Sequence, residues 1–202
     1  MTALIIGLIV FIGVHSVHSV RIVADGCRTR LIEKTGRSTY RAMHGALSLL
    51  GLVLIIAGYG TARAVPVELW QSPVWLIHLA IALTIPAFVF IAAAAVPATR
   101  IRKKVGHPLL LGVKLWAVAH LLANGTLADV ILFGAFLLWS VVAYSSARRR
   151  DRKAGTVYPV GSPWRDVSVV VAGLIGWAVF AIWLHPMLIG VAPLSMGAAP
   201  GS

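Results

Sequence analysis

Six runs of mostly apolar residues, each about 20 residues long, divide the sequence and limit what it can fold into. They cover residues 2–20, 41–60, 74–96, 107–125, 127–146 and 167–190. An apolar run of this length can cross the hydrocarbon core of a membrane once as a helix. The chain is 59% hydrophobic and 12% charged, which excludes an ordinary soluble domain. We therefore predict an all-α polytopic membrane protein, a bundle of six transmembrane helices.

The basic residues alternate with these runs in a regular way. All of the 18 Lys and Arg residues except Arg63 and Lys114 fall in the first, third and fifth loops. Basic loops stay on the cytoplasmic side of a membrane, so the pattern predicts that both termini lie outside. The first run has no basic segment before it, which indicates an uncleaved first helix rather than a signal peptide.

The net charge of +12 follows the same placement. Because the charges flank apolar runs, they favour contact with anionic lipid headgroups over contact with nucleic acid. No long linker, repeat or low-complexity tract interrupts the chain. We therefore predict one domain over residues 1–192, followed by a flexible tail over 193–202. Within the domain, Gly51 with Ser48, and Gly173 with Gly176, are expected to allow close contact between helices.

The fourth run carries polar residues that a lipid-facing helix would not hold. They are His107, Lys114, His120 and Asn124. Ionisable groups inside a membrane are costly, and they commonly mark a functional site. On a helix, Trp116, His120 and Asn124 share one face, whereas His107 points roughly 140° away from His120. One straight helix therefore cannot direct both histidines at one ligand.

The histidines of the first, second and fourth runs separate by depth. His15 and His18 lie at positions i and i+3 of the first helix, and His44 opens the second. At 1.5 Å per residue, these residues and His107 lie within about 9 Å of the cytoplasmic ends of their helices. His120 lies about 20 Å from the cytoplasmic end of its own helix. Depth therefore groups His15 with His44 and His107 as candidates for one site.

Other chemistry finds little support in the sequence. His78 and His185 lie near the outer helix ends, where histidines commonly reach toward the interface. The six acids form no cluster suited to hydrolysis, and no CxxC, HExxH, GxSxG or phosphate-loop motif is present. Neutral imidazoles with aromatic neighbours suit a haem or another metal held by histidine. A lone membrane histidine can instead hydrogen-bond to a neighbouring helix and bind nothing, so this interpretation stays open.

The sequence resembles the NnrU family of bacterial membrane proteins over nearly its full length. The resemblance rests on the His15-Ser16 pair and on the segments 41–45 (RAMHG), 107–112 (HPLLLG) and 115–125 (LWAVAHLLANG). The family is named for a gene required to express nitrite and nitric oxide reduction. Membership implies a multi-pass protein of the bacterial inner membrane with an accessory or sensor role in denitrification. A small hydrophobic or nitrogen-oxide ligand would suit that role.

The family is also similar to 15-cis-ζ-carotene isomerase, a membrane enzyme that uses haem b. That similarity implies a haem-dependent cis–trans isomerase as the alternative activity, and it matches His15 and His120 to the axial ligands. Ala117 stands where the isomerase has a cysteine proposed as an alternate ligand. Depth favours His44 as the second ligand and the resemblance favours His120. We predict His120, because membrane helices tilt and a depth estimate assumes straight ones.

A weaker resemblance connects His107-Pro108 and Gly112 with the signature of isoprenylcysteine-type membrane methyltransferases, which use S-adenosylmethionine. Gly106 stands where that signature has an arginine, so this activity is the less favoured alternative. No catalytic residue is assigned. The metal ligands implied by resemblance are His15 and His120. The complete set of candidate cofactor-binding residues is His15, His120, His44, His107, Trp116 and Asn124.

Overall fold

The computed structural model describes residues 1–19 and 27–195, with side chains at all of these positions except 18, 19, 27 and 28. The side chain of the candidate His18 and most of the tail predicted at 193–202 therefore lie outside the described part. Across the described residues the chain is helical, and the only β pairing is an isolated bridge between Glu68 and Thr126. The all-α prediction is confirmed.

The helices follow the apolar runs in order, with two short additions in basic loops. Their bounds are α1 Thr2–Ser19, α2 Cys27–Thr35, α3 Arg37–Ala64, α4 Val74–Ala95, α5 Arg100–Val105, α6 Pro108–Ala123, α7 Leu127–Ala154, α8 Pro163–Val179 and α9 His185–Ile189. The short additions are α2 and α5, which the sequence did not predict. Thr99 is the N-cap residue of α5, because its hydroxyl accepts a hydrogen bond from the N–H of Arg102 at 3.0 Å.

Two long helices extend beyond the apolar runs that predict them. α3 begins at Arg37, and α7 continues through the basic run 148–153 to Ala154. Arg, Lys and Ala are good helix formers, so charge ends the apolar run without ending the helix. Basic residues in the last turn of α7 also lie favourably at the negative end of its dipole. An apolar run therefore marks the part of a helix suited to lipid, and the helix itself is longer.

Four helices have the length and hydropathy to cross a membrane. They are α3, α4, α7 and the continuous helix Pro163–Ile189, in which a π-helical turn at Phe180–Leu184 connects α8 with α9. The helices α1 and α6 are apolar but shorter. With 16 residues α6 is about 24 Å long, compared with about 30 Å for a hydrocarbon core. The described chain thus has four candidate spans, and shorter apolar helices at the other two predicted positions.

The described chain divides into two compact units. Unit 1 comprises Met1–Leu69 and Thr126–Arg150, and it contains α1, α2, α3 and most of α7. Unit 2 comprises Trp70–Gly125 and Asp151–Ser202, and it contains α4, α5, α6, α8 and α9. Each unit therefore takes residues from two separate stretches of the sequence.

Glycines bring α1 and α3 into close contact in unit 1. A Cβ atom on Gly51 would lie 2.9 Å from the backbone nitrogen of Phe11 and 3.1 Å from its Cα. A Cβ atom on Gly58 would overlap the backbone of Leu4. Because no side chain separates the two backbones at these positions, the helices approach more closely than larger residues would allow. The close contact predicted at Gly51 is confirmed.

In unit 2, α4 packs against both α6 and α8. A Cβ atom on Gly112 of α6 would lie 2.9 Å from the carbonyl oxygen of Ala87. A Cβ atom on Gly173 of α8 would lie 2.6 Å from the Cα of Val89. The close contact predicted at Gly173 is therefore confirmed, whereas a Cβ atom on Gly176 would meet only the Phe88 side chain, at an ordinary 3.6 Å. Gly112 has the same role as Gly173 on the other contact of α4.

Candidate functional site

His15 is held by its own helix in a defined orientation. Its Nδ1 lies 2.7 Å from the carbonyl oxygen of Phe11, one turn earlier in α1. A carbonyl oxygen only accepts hydrogen bonds, so Nδ1 carries the proton and Nε2 carries the lone pair of the neutral imidazole. The Phe11 ring stacks on the imidazole, with centroids 4.2 Å apart and planes 26° apart. The imidazole is thus fixed in the tautomer that a metal ligand at Nε2 requires.

His120 repeats this arrangement in unit 2. Its Nδ1 lies 2.8 Å from the carbonyl oxygen of Trp116, again one turn earlier in the same helix. The Trp116 ring packs on the imidazole with centroids 5.0 Å apart and planes 49° apart. An aromatic residue four positions before a histidine therefore supplies both a hydrogen-bond acceptor and a ring contact. His15 and His120, the two histidines selected by resemblance, share this local structure.

Aromatic rings and a second imidazole surround His15 in unit 1. The rings of His15 and His44 meet edge to face, with centroids 5.4 Å apart. Trp139 of α7 is also edge-on to His15, at 6.3 Å between centroids. We call this group the His15 cluster, and its members are Phe11, His15, Tyr40, His44, Phe136 and Trp139. It draws side chains from α1, α3 and α7.

One face of α3 explains how His44 reaches the cluster. Tyr40, His44 and Ser48 follow one another at four-residue spacing, and the same face continues to the buried Gly51. The Ser48 hydroxyl donates to the carbonyl oxygen of His44 at 2.7 Å. The face is therefore polar near the start of α3 and closely packed further along. His15 and His44 come together as the depth argument predicted.

The indole nitrogen of Trp139 has no hydrogen-bond partner within the described residues, although the atom is buried. An indole N–H is a donor only. Buried donors are nearly always satisfied, so an unsatisfied one requires an explanation. This donor belongs to a residue that contacts His15. The sequence did not identify Trp139, because one tryptophan among seven carries no spacing signal.

The chemistry of these groups fits a haem. A haem iron takes four nitrogen ligands from its macrocycle and needs only one or two axial ligands from the protein. His15 and His120 each have the Nδ1 hydrogen bond to a carbonyl that orients histidine ligands. The unsatisfied Trp139 donor adds a polar group that a bound molecule could satisfy.

The other predicted residues of the fourth run have structural contacts. Asn124 ends α6, because its side-chain amide and its backbone N–H both donate to the carbonyl oxygen of His120 at 2.9 Å. It therefore closes the helix one turn after the histidine. Lys114 is half-buried in α6. The Asn124 contact places its amide at the backbone of His120 rather than at the imidazole.

His107 has a different kind of partner. Its Nε2 lies 3.0 Å from Oδ2 of Asp151, and the Tyr158 hydroxyl donates to the same carboxylate oxygen at 2.9 Å. The Tyr158 oxygen also lies 3.3 Å from His107 Nε2. These three side chains come from the start of α6, the end of α7 and the loop before α8. They form a hydrogen-bonded triad within unit 2.

Sequence reasoning did not identify Asp151 and Tyr158. Asp151 lies 44 positions from His107, and no periodicity connects residues that far apart. One signal was present, since Asp151 is the only acid in the basic run 148–153. In the structure the partner of this acid is His107.

A second carboxylate has a purely structural arrangement. Asp129 is buried in the first turn of α7, with 4% of its surface exposed. Its Oδ2 accepts hydrogen bonds from the backbone N–H and the hydroxyl of Thr126, at 3.0 and 2.6 Å. Its Oδ1 accepts one from the Tyr59 hydroxyl at 2.5 Å. These bonds cap the helix and attach it to α3 within unit 1.

His78 and His185 have different surroundings. His78 is exposed on α4. His185 Nδ1 donates to the carbonyl oxygen of Val191 at 2.7 Å. Among the described residues, no group of three or more His, Cys, Asp or Glu side chains is arranged to hold a metal ion. Within unit 1 the neighbours of His15 are aromatic rings and His44, and within unit 2 His120 and His107 have different partners.

The long apolar helices and the close helix contacts define a class, that of the polytopic α-helical membrane proteins. The chain belongs to the NnrU family, whose model (NnrU protein) matches residues 3–193. That match confirms the family resemblance found in the sequence. No curated protein and no solved structure matches the chain.

Proposed function

We propose that this NnrU protein binds haem b, with His15 and His120 as the axial ligands. The observation that carries the proposal is the arrangement common to the two histidines. In each, Nδ1 donates to the carbonyl of an aromatic residue one turn earlier, at 2.7 Å for His15 and 2.8 Å for His120. A helical histidine needs no such bond to fold, but a ligand histidine needs its ring orientation and tautomer fixed.

Each further residue of the proposal has a role in holding or orienting the group. Phe11 and Trp116 supply the carbonyl oxygens and cover one face of each imidazole. His44 contacts the edge of His15 and limits rotation of its ring. When bound, the haem iron would supply redox chemistry and affinity for small ligands such as nitric oxide. An accessory or sensor role in nitrite and nitric oxide metabolism would use that chemistry.

The alternative function is a haem-dependent cis–trans isomerase similar to ζ-carotene isomerase. One observation weighs against it. Ala117, at the position of the isomerase cysteine, is fully buried and has no thiol. Exchange between a histidine and a cysteine ligand therefore has no counterpart in this chain. The sensor or accessory role, which does not depend on such an exchange, is the one we favour.

The proposal includes a topology of six spans in the bacterial inner membrane, with both termini outside. It is supported by the four long apolar helices, by the two shorter ones and by the alternation of basic loops. Reporter fusions after Ser202 and within 148–165 are expected to give opposite sidedness. A cytoplasmic reporter at Ser202 would contradict six spans.

The basic end of α7 is proposed to contact anionic lipid. Arg148, Arg149 and Arg150 extend the helix beyond its apolar run. Each such charge near an anionic membrane surface contributes about 1 kcal/mol of attraction. Neutralising all three should weaken binding to anionic vesicles relative to neutral ones. Unchanged binding would mean that the run acts only as a topology signal.

An absorption spectrum of the purified protein tests haem binding directly. The full chain is expressed in haem-replete cells, extracted in detergent and measured before and after reduction with dithionite. Bis-histidine ligation predicts a Soret band that shifts on reduction, with the sharp visible bands of a low-spin haem. Purified protein without a Soret band, which also binds no haem on addition, would contradict the proposal.

A further inference from the structure

Trp139 offers a polar contact that the proposed ligands do not use. Its Nε1 atom is buried and has no hydrogen-bond partner within the part of the chain that the structure describes. Because the indole N–H only donates, an acceptor atom is the group that would satisfy it. Leaving such a donor unsatisfied in an apolar interior is unfavourable, and membrane helices have no water nearby to compensate.

The surroundings of Trp139 place this donor at the His15 cluster. The indole ring meets the His15 imidazole edge to face, at 6.3 Å and 87°. Phe136, one turn earlier on α7, packs on Phe11 with centroids 5.8 Å apart. The Nδ1 proton of His15 is already donated to the Phe11 carbonyl. The Trp139 indole therefore lies next to the proposed metal ligand, and no described group accepts a hydrogen bond from its Nε1.

The depth of Trp139 in the predicted membrane span limits which kind of acceptor can bind its indole N–H. Trp139 lies seven residues inside the predicted span 127–146, or about 10 Å from its basic end. His15 lies at a similar depth of about 9 Å. A charged group at this depth is stable only where fixed donors replace its hydration. An N–H donor at this position is suited to an anionic oxygen brought in by a ligand.

We propose that the Trp139 indole N–H binds a carboxylate of the molecule held at His15, a proposal that rests on the proposed haem binding. The two propionate carboxylates are the strong hydrogen-bond acceptors of a haem b. Within the His15 cluster, Tyr40 and His44 lie on one face of α3 near the start of that helix. Trp139 is thus a positioning residue that sets how the macrocycle is turned about the His15 axis.

Comparison of haem with its dimethyl ester isolates this contact. Esterification removes the charge and leaves the macrocycle and the iron unchanged. The wild-type chain in detergent, freed of endogenous haem, is titrated with each compound and followed at the Soret band. A hydrogen bond to a charged group should make the wild type bind haem about tenfold more tightly than the ester.

The variant Trp139→Phe is expected to lose this preference and to bind the two compounds with equal affinity. Loss of ring volume weakens both compounds alike, so the ratio of their affinities reports the N–H contact alone. The matched control is Trp75→Phe, because Trp75 is 64% exposed on α4. That control should keep the wild-type ratio.

Several outcomes would overturn the inference. They are an undiminished preference for haem in Trp139→Phe, or an equal loss of preference in Trp75→Phe. Equal affinity of the wild type for haem and ester would do the same, and it needs no variant to fold. A wild-type chain that binds neither compound would instead contradict haem binding itself, and with it this proposal.

Discussion

His15 and His107 are both half-buried histidines, yet their partners give them different chemistry. His15 donates from Nδ1 to a main-chain carbonyl of its own helix, at 2.7 Å. His107 has its Nε2 at 3.0 Å from the carboxylate of Asp151 and at 3.3 Å from the hydroxyl of Tyr158. The first bond is local and involves no charged partner. The second connects three separate segments of the chain and includes an anion.

The difference lies in the kind of hydrogen-bond partner that each imidazole has. The Phe11 carbonyl accepts the Nδ1 proton of His15, which leaves the lone pair of the neutral imidazole on Nε2. A carboxylate at 3.0 Å instead holds the His107 ring in a polar network. His120 belongs with His15 in this comparison. The described contacts of His107 thus belong to a polar triad within unit 2.

We expect the largest effect from a substitution that displaces the Phe11 carbonyl, which accepts the hydrogen bond of His15. In Gly51→Ala the new methyl group would lie 2.9 Å from the Phe11 nitrogen, so α1 must shift. We expect a loss of about 2–3 kcal/mol of stability by thermal unfolding in detergent, together with weaker haem retention. Gly45→Ala on the same helix meets open space and should be neutral or slightly stabilising. Equal effects of the two substitutions would mean that the Gly51 contact does not hold His15.

A smaller effect is expected when His107 loses its carboxylate partner. Asp151→Ala removes the acceptor shared by His107 and Tyr158. We expect a loss of about 1–2 kcal/mol in thermal unfolding, because two polar side chains lose a partner. The Soret band should keep its position and intensity. The exposed acid Glu33 provides the control, since Glu33→Ala should change stability by less than about 0.5 kcal/mol.

A shift of the haem spectrum in Asp151→Ala would connect the two histidine settings and remove the distinction drawn between them. An unchanged unfolding temperature would show instead that the triad contributes nothing to stability.

The smallest effect is expected for Tyr158→Phe. This change removes one hydroxyl that donates to Asp151 at 2.9 Å, and leaves the contact of His107 with the carboxylate in place. We expect a loss of about 0.5–1 kcal/mol, measured as a lower midpoint of thermal unfolding. A larger loss than in Asp151→Ala would mean that the phenol, rather than the carboxylate, organises the triad.

The fold could be predicted from the sequence further than the site could. Each predicted run coincides with a helix because apolar length and basic flanks are local properties. The contacts at Gly51 and Gly173 were also predictable, since small residues on an apolar helix permit close packing. The helices α2 and α5 were missed because charged loops carry no hydrophobic period.

The site was predictable only where its contacts are local. The four-residue spacing of Phe11 and His15, and of Trp116 and His120, is visible in the sequence, and on a helix it brings each aromatic ring against its histidine. The contact of His107 with Asp151 depends on how distant segments fold together, so no spacing could predict it. Spacing could not identify Trp139 either, because its distinguishing feature is a buried N–H that has no hydrogen-bond partner among the described residues.

The absorption spectra of matched histidine variants test the central claim most directly. The claim is that His15 and His120 hold a haem whereas His107 does not. We predict that His15→Ala and His120→Ala each abolish the low-spin spectrum, that His107→Ala weakens it at most, and that the exposed His78→Ala leaves it unchanged. A normal spectrum in His120→Ala, together with its loss in His44→Ala, would contradict the account and make His44 the second ligand.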